Sequence, residues 1–454
     1  MLASGPVCGA SRIDERRARY LFVGILLLAA SLLLIGVGQD YRLKHEDNNA
    51  PYAAFARSHL NLGLGTTHAH DVLSGGGGGE LFFYGHHPPG PGLVVAAFFK
   101  VTGWRGPAAV RSLAIFFHLV SLCLFYFLAR RVLSLRDALS AALLFAVLPE
   151  GSFFGRMVNH EPLALSAMLL VVGCYWSYLE GAEDYRGRGQ LRLVLLALAA
   201  AWSALLGWVS FFLLGAVTAH AFVRSRPSAD DSANGPALVV SSVRTRARTV
   251  FWYLAILTPV LFAADLLHLK WAAGSEGDLG STFLSRLGFG AEYTLWKWAG
   301  QLLEVQLRYF TVTGTVASFW LGWRLLSALT GRTSLSAAEE VAALFFSAGV
   351  AYLLVFNYGS MKHHYWQFPL LPAVAIAMVL LLGRGRELYL RVLASRGSTA
   401  RVAARALALL VLLDLVAAPT ITLYRSHTRI DQRVIDTVEA LRRSTLALKA
   451  NPYL

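Results

Sequence analysis

Long apolar runs, with short clusters of arginines in alternate gaps between them, organise this chain from end to end. They fall at about 20–37, 107–129, 138–152, 162–179, 191–206, 208–223, 250–268, 308–328, 338–356, 367–383 and 405–423. A helix needs roughly 20 apolar residues to cross a bilayer, so these runs predict an all-α polytopic membrane protein with about eleven transmembrane helices. The basic clusters test the count. Arg12, Arg16, Arg17 and Arg19 precede the first run. If the helices alternate, Arg130, Arg131 and Arg136 share that side, as do Arg186, Arg188 and Arg192, and then Arg224, Arg226, Arg244, Arg246 and Arg248. Arg324 and Arg332 follow, then Arg384, Arg386, Arg391, Arg396 and Arg401. Every cluster lands with the N-terminus, which the positive-inside rule places in the cytoplasm. The pair of runs at 191–223 is where a miscount would invert the rest.

Composition agrees. Of 454 residues, 56% are hydrophobic and only 15% charged, well below the quarter usual for soluble domains. The formal charge of +14 sits in the inter-helix clusters, with no basic stretch interleaved with aromatics, so it reads as topology signal and not as a nucleic-acid surface. Three cysteines make no disulfide framework; Cys123 and Cys174 lie inside apolar runs and Cys8 in a polar leader. The first run lacks a small-residue cleavage site and reads as a retained helix. The chain divides into a cytoplasmic leader (1–19), a transmembrane domain (20–425) with a long outer loop at 38–106, and a tail (426–454) whose Ile430, Val434, Val438 and Leu441 have helical spacing. The stretch 227–247 reads as a mobile linker. The Gly75–Gly79 run opens no helix after a strand, and so lacks the context of a phosphate loop.

Polar residues concentrate on the outer side, in four segments. KHEDNNAPYAAFAR (44–57) carries His45, Glu46 and Asp47; adjacent carboxylates there can serve as a general base, or start a solvated loop. FFYGHHPPGPG (82–92) places His86 and His87 before an apolar segment too short to span, expected as an interfacial helix. A pair of adjacent histidines does not by itself make a metal site. GRMVNHEP (155–162) sets Arg156, Asn159 and His160 on one face if helical, with Glu161 and Pro162 opening the next span. An Arg156–Glu161 staple and an anion site with Arg156 on phosphate both fit it. SMKHHYWQFPLLP (360–372) brings Lys362, His363, His364 and Tyr365, as an aromatic belt or as a phosphate-capturing set. Asp265 and Asp414, alone in their spans, read as structural polar contacts. The outer loop 269–307 is undistinctive.

The order of HEDNNAPYAAFAR, HHPPGPGLVVAAFF, LLFAVLPEGSFFGRMVNHEPLAL and KHHYWQFPLLP resembles the polytopic GT-C glycosyltransferases, in the branch of dolichyl-phosphate-mannose protein mannosyltransferases and aminoarabinose transferases, over roughly residues 20–425. The resemblance implies a GT-C fold with interfacial helices in the first outer loop, in a bacterial inner membrane, with its active site facing the periplasm. It implies transfer of a sugar from a polyprenyl-phosphate donor to a lipid, glycan or protein acceptor. The family's first-loop carboxylate, the general base, falls on Asp47 or Glu46. Arg156, Asn159, His160 and Glu161 match the segment that lines the cavity, and Lys362, His363, His364 and Tyr365 the segment that meets the lipid phosphate. His86 and His87 join this set as substrate-binding residues. No cofactor is required; a divalent metal is permitted through His86, His87 or His160 with Glu161, and the metal ligands stay unknown. The alternative is a transporter or flippase of a lipid-linked sugar. Its usual sign, inverted repeats with broken helices at mid-membrane, is not visible, and the polar clusters sit at helix ends.

Overall fold

A computed structural model describes residues 14–74, 81–181, 186–227, 237–274, 284–288, 294–394 and 398–450. Cys8, Gly75–Gly79 and the last residues of the tail lie outside these, as does the side chain of His160. Asp14 accepts from the Arg17 N–H and starts α1 (Glu15–Leu34). The first outer loop folds as a 3₁₀ turn (Glu46–Asn48), α2 (Asn49–Thr66), a hairpin of β1 (Val72–Ser74) and β2 (Leu81–Phe83), and α3 (Gly90–Thr102). The bundle continues through α4 (Pro107–Val132), α5 (Leu135–Val147), α6 (Pro149–Phe154), α7 (His160–Glu180), α8 (Arg186–Leu206), α9 (Val209–Arg224) and α10 (Ala237–Ala273). Beyond it come α11 (Leu295–Tyr309), α12 (Thr311–Leu329), α13 (Ala337–Val355), α14 (Asn357–Lys362), a 3₁₀ segment (His364–Leu370), α15 (Leu371–Ala394), α16 (Ser398–Thr428) and α17 (Gln432–Ala450).

Each of the eleven apolar runs is helical, and eight of the described helices are long and apolar enough to cross a bilayer. The shortfall has physical causes. The 13 residues of α5 rise only about 20 Å, and the chain breaks at Leu148, which Pro149 holds out of the helical region. The α9 helix has 16 residues. The start of α12 is threonine-rich, and its first backbone N–H groups are capped from another helix: Asp414 of α16 accepts from Val312 (3.1 Å) and Thr313 (2.7 Å). Two local expectations fail. Residues 237–247 are the first turns of α10, not linker. Arg156, Asn159 and His160 do not share a helical face, because α7 begins only at His160.

Ion pairs tie the basic helix ends together. Arg130 at the end of α4 meets Glu15 at the start of α1 (2.7 Å), and Arg131 meets Glu180 at the end of α7 (3.2 Å). Arg224 at the end of α9 meets Glu340 at the start of α13, while Arg324 and Arg384, ending α12 and lying past the middle of α15, share Glu339. Arg192, early in α8, donates to the Ser177 carbonyl at 3.0 Å. These ends therefore lie at one end of the bundle, and α8 and α9 take opposite directions. The long loop between α1 and α4 occupies the other end. There α17 docks on it: Val434 and Val438 bury against Tyr41 and Ala50, and Ile430 pairs with Leu43.

Candidate functional site at the outer end

The two adjacent carboxylates of the first loop have opposite fates. Glu46 is fully buried. Its Oε1 accepts from Arg111 Nη2 (2.8 Å) and Nε (3.1 Å) and from Arg156 Nη2 (3.2 Å). Its Oε2 accepts from the backbone N–H groups of Arg42 (3.0 Å) and Leu43 (2.9 Å). Arg156 is as buried as its partner and also donates to the Ile35 carbonyl. The staple at GRMVNHEP is therefore to Glu46, not Glu161. Two buried guanidiniums around one buried carboxylate fasten α1, the loop, α4 and the α6–α7 turn, and neither Glu46 nor Arg156 is open to a hydroxyl or a phosphate.

Asp47 is half-buried, and its carboxylate accepts from the Asn48 side-chain amide at 3.3 Å and from nearby backbone N–H groups of its own turn. Burial raises its carboxyl above the usual carboxylate range. His45 before it stands at φ 66°, a region in which non-glycine residues are uncommon and which often marks a functional turn. That backbone turns the His45 ring toward His364 (5.0 Å between centroids), Tyr365 (5.5 Å) and Phe154 (6.1 Å). Burial holds His45 well below its ordinary range, so it stays neutral. Lys44 reaches His364 Nδ1 at 3.3 Å, and Gln301 of α11 reaches its Nε2 at 3.4 Å.

From Tyr365 the site continues to a second cluster. The Tyr365 hydroxyl lies 3.0 Å from His363 Nδ1, and the His363 ring stacks on Trp366 (5.2 Å). Arg286 lies over Trp366 (5.7 Å) and donates to the His86 carbonyl (3.0 Å), His86 Nδ1 (3.3 Å) and His87 Nε2 (3.1 Å). Burial, with Arg286 beside it, pushes His86 down to about 4, so the guanidinium is the cation here. Tyr84 stacks on His86 (4.6 Å between centroids), burial raises the phenols of Tyr52 and Tyr84 above their ordinary value, and Glu161, Tyr352 and Tyr365 are buried. Asn159 is buried with neither side-chain atom hydrogen-bonded, and Glu150 is buried with both oxygens unpartnered. Orphaned polar atoms at that depth are uncommon in a closed core and fit a place where a polar ligand sits.

A cavity of about 890 Å³ opens beside Arg286 and His86. Apart from these two residues and Ser347 its walls are apolar: Trp208, Phe212, Phe262 and Val355 line it between α9, α10 and α13. The glycines of HHPPGPG serve close approach of neighbouring segments. A Cβ at Gly90 would collide with the Leu205 carbonyl, and one at Gly92 with the Asp71 carboxylate. Asp71, fully buried, faces His59 (Nε2 to Oδ1, 3.6 Å), and burial pushes it up to about 6.

Of the residues expected at the site, His364 and Tyr365 gather around His45, next to Asp47, and His86 and His87 meet Arg286 over Trp366, on which His363 stacks; Asn159 and Glu161 are buried where α7 begins. Glu46 and Arg156 form the supporting pair, and Lys362 lies exposed over the Tyr358 ring (4.1 Å). Lys44, Arg286, Tyr52, Tyr84, Gln301 and Asp71 were missed. Lys44 and Tyr52 stand inside the first quoted motif and could have been singled out; Arg286 comes from the loop judged undistinctive. Among the described residues no group of three His, Cys, Asp or Glu could hold a metal, and His86 and His87 face a guanidinium, a poor setting for a cation.

Residues 86–229 match the family model described as dolichyl-phosphate-mannose-protein mannosyltransferase. No curated protein matches the chain in sequence. Among solved structures, the oligosaccharyltransferase of Archaeoglobus fulgidus in its apo form superposes with a TM-score of 0.55 at 14% identity, over 93% of this chain and 57% of that one. The same archaeal enzyme with an inhibitory peptide and a dolichol-phosphate gives 0.50 at 14% identity, over 91% and 56%. ArnT from Cupriavidus metallidurans bound to undecaprenyl phosphate gives 0.45 at 16% identity, over 96% and 79%. This chain thus spans little more than half the length of the archaeal enzyme. It has the all-α, multi-pass GT-C fold over nearly all of its own length.

Proposed function

We propose that this membrane protein is a glycosyltransferase that takes a sugar from a polyprenyl-phosphate donor and passes it to an acceptor hydroxyl at the outer end of the bundle. The observation that carries the proposal is the apolar cavity ending on Arg286 and His86, a slot for an isoprenoid chain with a cation at its mouth, next to the half-buried carboxylate of Asp47. The archaeal enzyme of the same fold has been seen with a dolichol-phosphate, a ligand of that chemistry. In this proposal Asp47 removes the proton of the acceptor hydroxyl, and the oxygen attacks the anomeric carbon from the face opposite the phosphate. The C–O bond to phosphate breaks with its electron pair. The charge gained by the phosphate is met by Arg286, with Lys44 and the neutral imidazoles of His86 and His364 as further donors. Glu161 and the tyrosines around it hold the sugar hydroxyls. The leaving group is already a phosphate, so no nucleotide fold is needed, and the reaction requires no metal. The setting is a bacterial inner membrane with the site toward the periplasm; the acceptor is a lipid, a glycan or a protein.

The test is transfer of label from polyprenyl-phosphate sugars in membranes carrying the intact chain or Asp47→Asn. Label that reaches a lipid, glycan or protein fraction, and fails to with Asp47→Asn, supports the transferase. Donor that changes sides in sealed vesicles without transfer makes the protein a flippase and overturns it.

A further inference from the structure

We propose that the basic end of the bundle, opposite the carboxylate site, holds a binding site for one anionic diacyl phospholipid between α4, α7 and α8. This inference is independent of the transferase assignment. A groove of about 350 Å³ opens there, with Leu124, Phe127, Leu170 and Leu195 as walls and Arg131 and Arg192 at its polar end. Phe127, Leu170 and Leu195 are exposed and turn outward, so the groove opens on the face that meets lipid. Its depth comes from Gly173, around which a side chain would meet nothing within 4 Å.

Charge selects the occupant. Arg131 gives Nη1 to Glu180 (3.2 Å), and the Trp176 indole holds the other oxygen of that carboxylate at 2.8 Å. Arg192 spends Nη1 on the neutral Ser177 carbonyl. One carboxylate thus stands against two guanidiniums, leaving one positive charge and unspent N–H groups over an apolar slot. A phosphodiester monoanion with acyl chains below it matches that pattern. A zwitterionic headgroup would bring its own ammonium against the guanidiniums.

Native mass spectrometry of the detergent-extracted chain tests this, with phosphatidylglycerol or phosphatidylcholine of the same acyl composition added back. The expected result is retention of one phosphatidylglycerol, favoured over phosphatidylcholine by at least about tenfold. Arg131→Gln with Arg192→Gln should erase the preference, and Gly173→Phe should erase retention of both lipids. Equal retention of the two lipids by the parent chain overturns the proposal. So does an unchanged preference in the double arginine variant, or displacement of phosphatidylglycerol by undecaprenyl phosphate. If Gly173→Phe fails to fold, the arginine variant, matched to the parent in thermal unfolding, and the lipid competition on the parent decide.

Discussion

Arg156 and Glu46, 110 residues apart, meet in a fully buried ion pair with Nη2 and Oε1 3.2 Å apart. Arg111 closes on the same oxygen from a third segment. Buried charges tolerate this only while each is compensated, so loss of one member is expected to be severe. Glu46→Gln strands two guanidiniums and should destabilise the chain by roughly 3–5 kcal/mol, read as a lowered unfolding temperature in detergent. An unfolding temperature equal to the parent's would show that the pair does not hold the loop.

Asp47→Asn separates chemistry from structure. The carboxyl is half-buried and outside the Glu46 network, so stability should hold while transfer falls by about 100-fold or more. Because burial raises this carboxyl, the rise of kcat/KM with pH should have its inflection above the ordinary carboxylate value of about 4. An Asp47→Asn variant with the parent's activity would remove Asp47 as the base.

Arg286→Ala removes the cation at the mouth of the larger cavity. A lost charge-assisted bond to phosphate of about 1.5–3 kcal/mol corresponds to roughly a 10- to 150-fold loss in kcat/KM for the lipid donor. Arg286→Lys should recover only part, because a point charge cannot reach both imidazoles and the phosphate together. Unaltered donor kinetics would place the phosphate elsewhere.

Asp71 provides a pH signature in the loop itself. Its folded-state carboxyl is pushed up to about 6, above the usual value of about 4 in the unfolded chain. The folded state thus keeps its proton longer, and stability owed to this group falls as pH rises from about 4 to 6. Asp71→Asn should add nothing at pH 4 and on the order of 2 kcal/mol above pH 6. The difference between variant and parent isolates it, since buried His70, held at about 4, drives stability the other way over the same range. Amide exchange in α2 and α3 at the two pH values would show it.

Gly92→Ala should disrupt the same contact sterically, since its Cβ would collide with the Asp71 carboxylate, and should cost about 1–3 kcal/mol. Gly63→Ala has open space around it but stands at φ 81°, so it isolates backbone strain from collision. A Gly92→Ala variant as stable as the parent would show that Asp71 can move aside.

Local pattern sufficed for much of this architecture. Apolar runs of helical length and the arginine clusters in alternate loops are properties of neighbouring residues, and they marked which segments are helices and which ends lie together. The motifs also located the outer loop and the segments that meet in it. Tertiary structure alone divided the labour among their residues. Glu46 and Asp47 are adjacent and chemically alike; what separates them is that Arg111 and Arg156, 65 and 110 positions away, reach one and not the other. Arg286 became a site residue because its guanidinium meets His86 and His87 across 200 and 199 positions. Burial and pairing of charge depend on which distant side chains arrive at a point, and no periodicity along the chain carries that information.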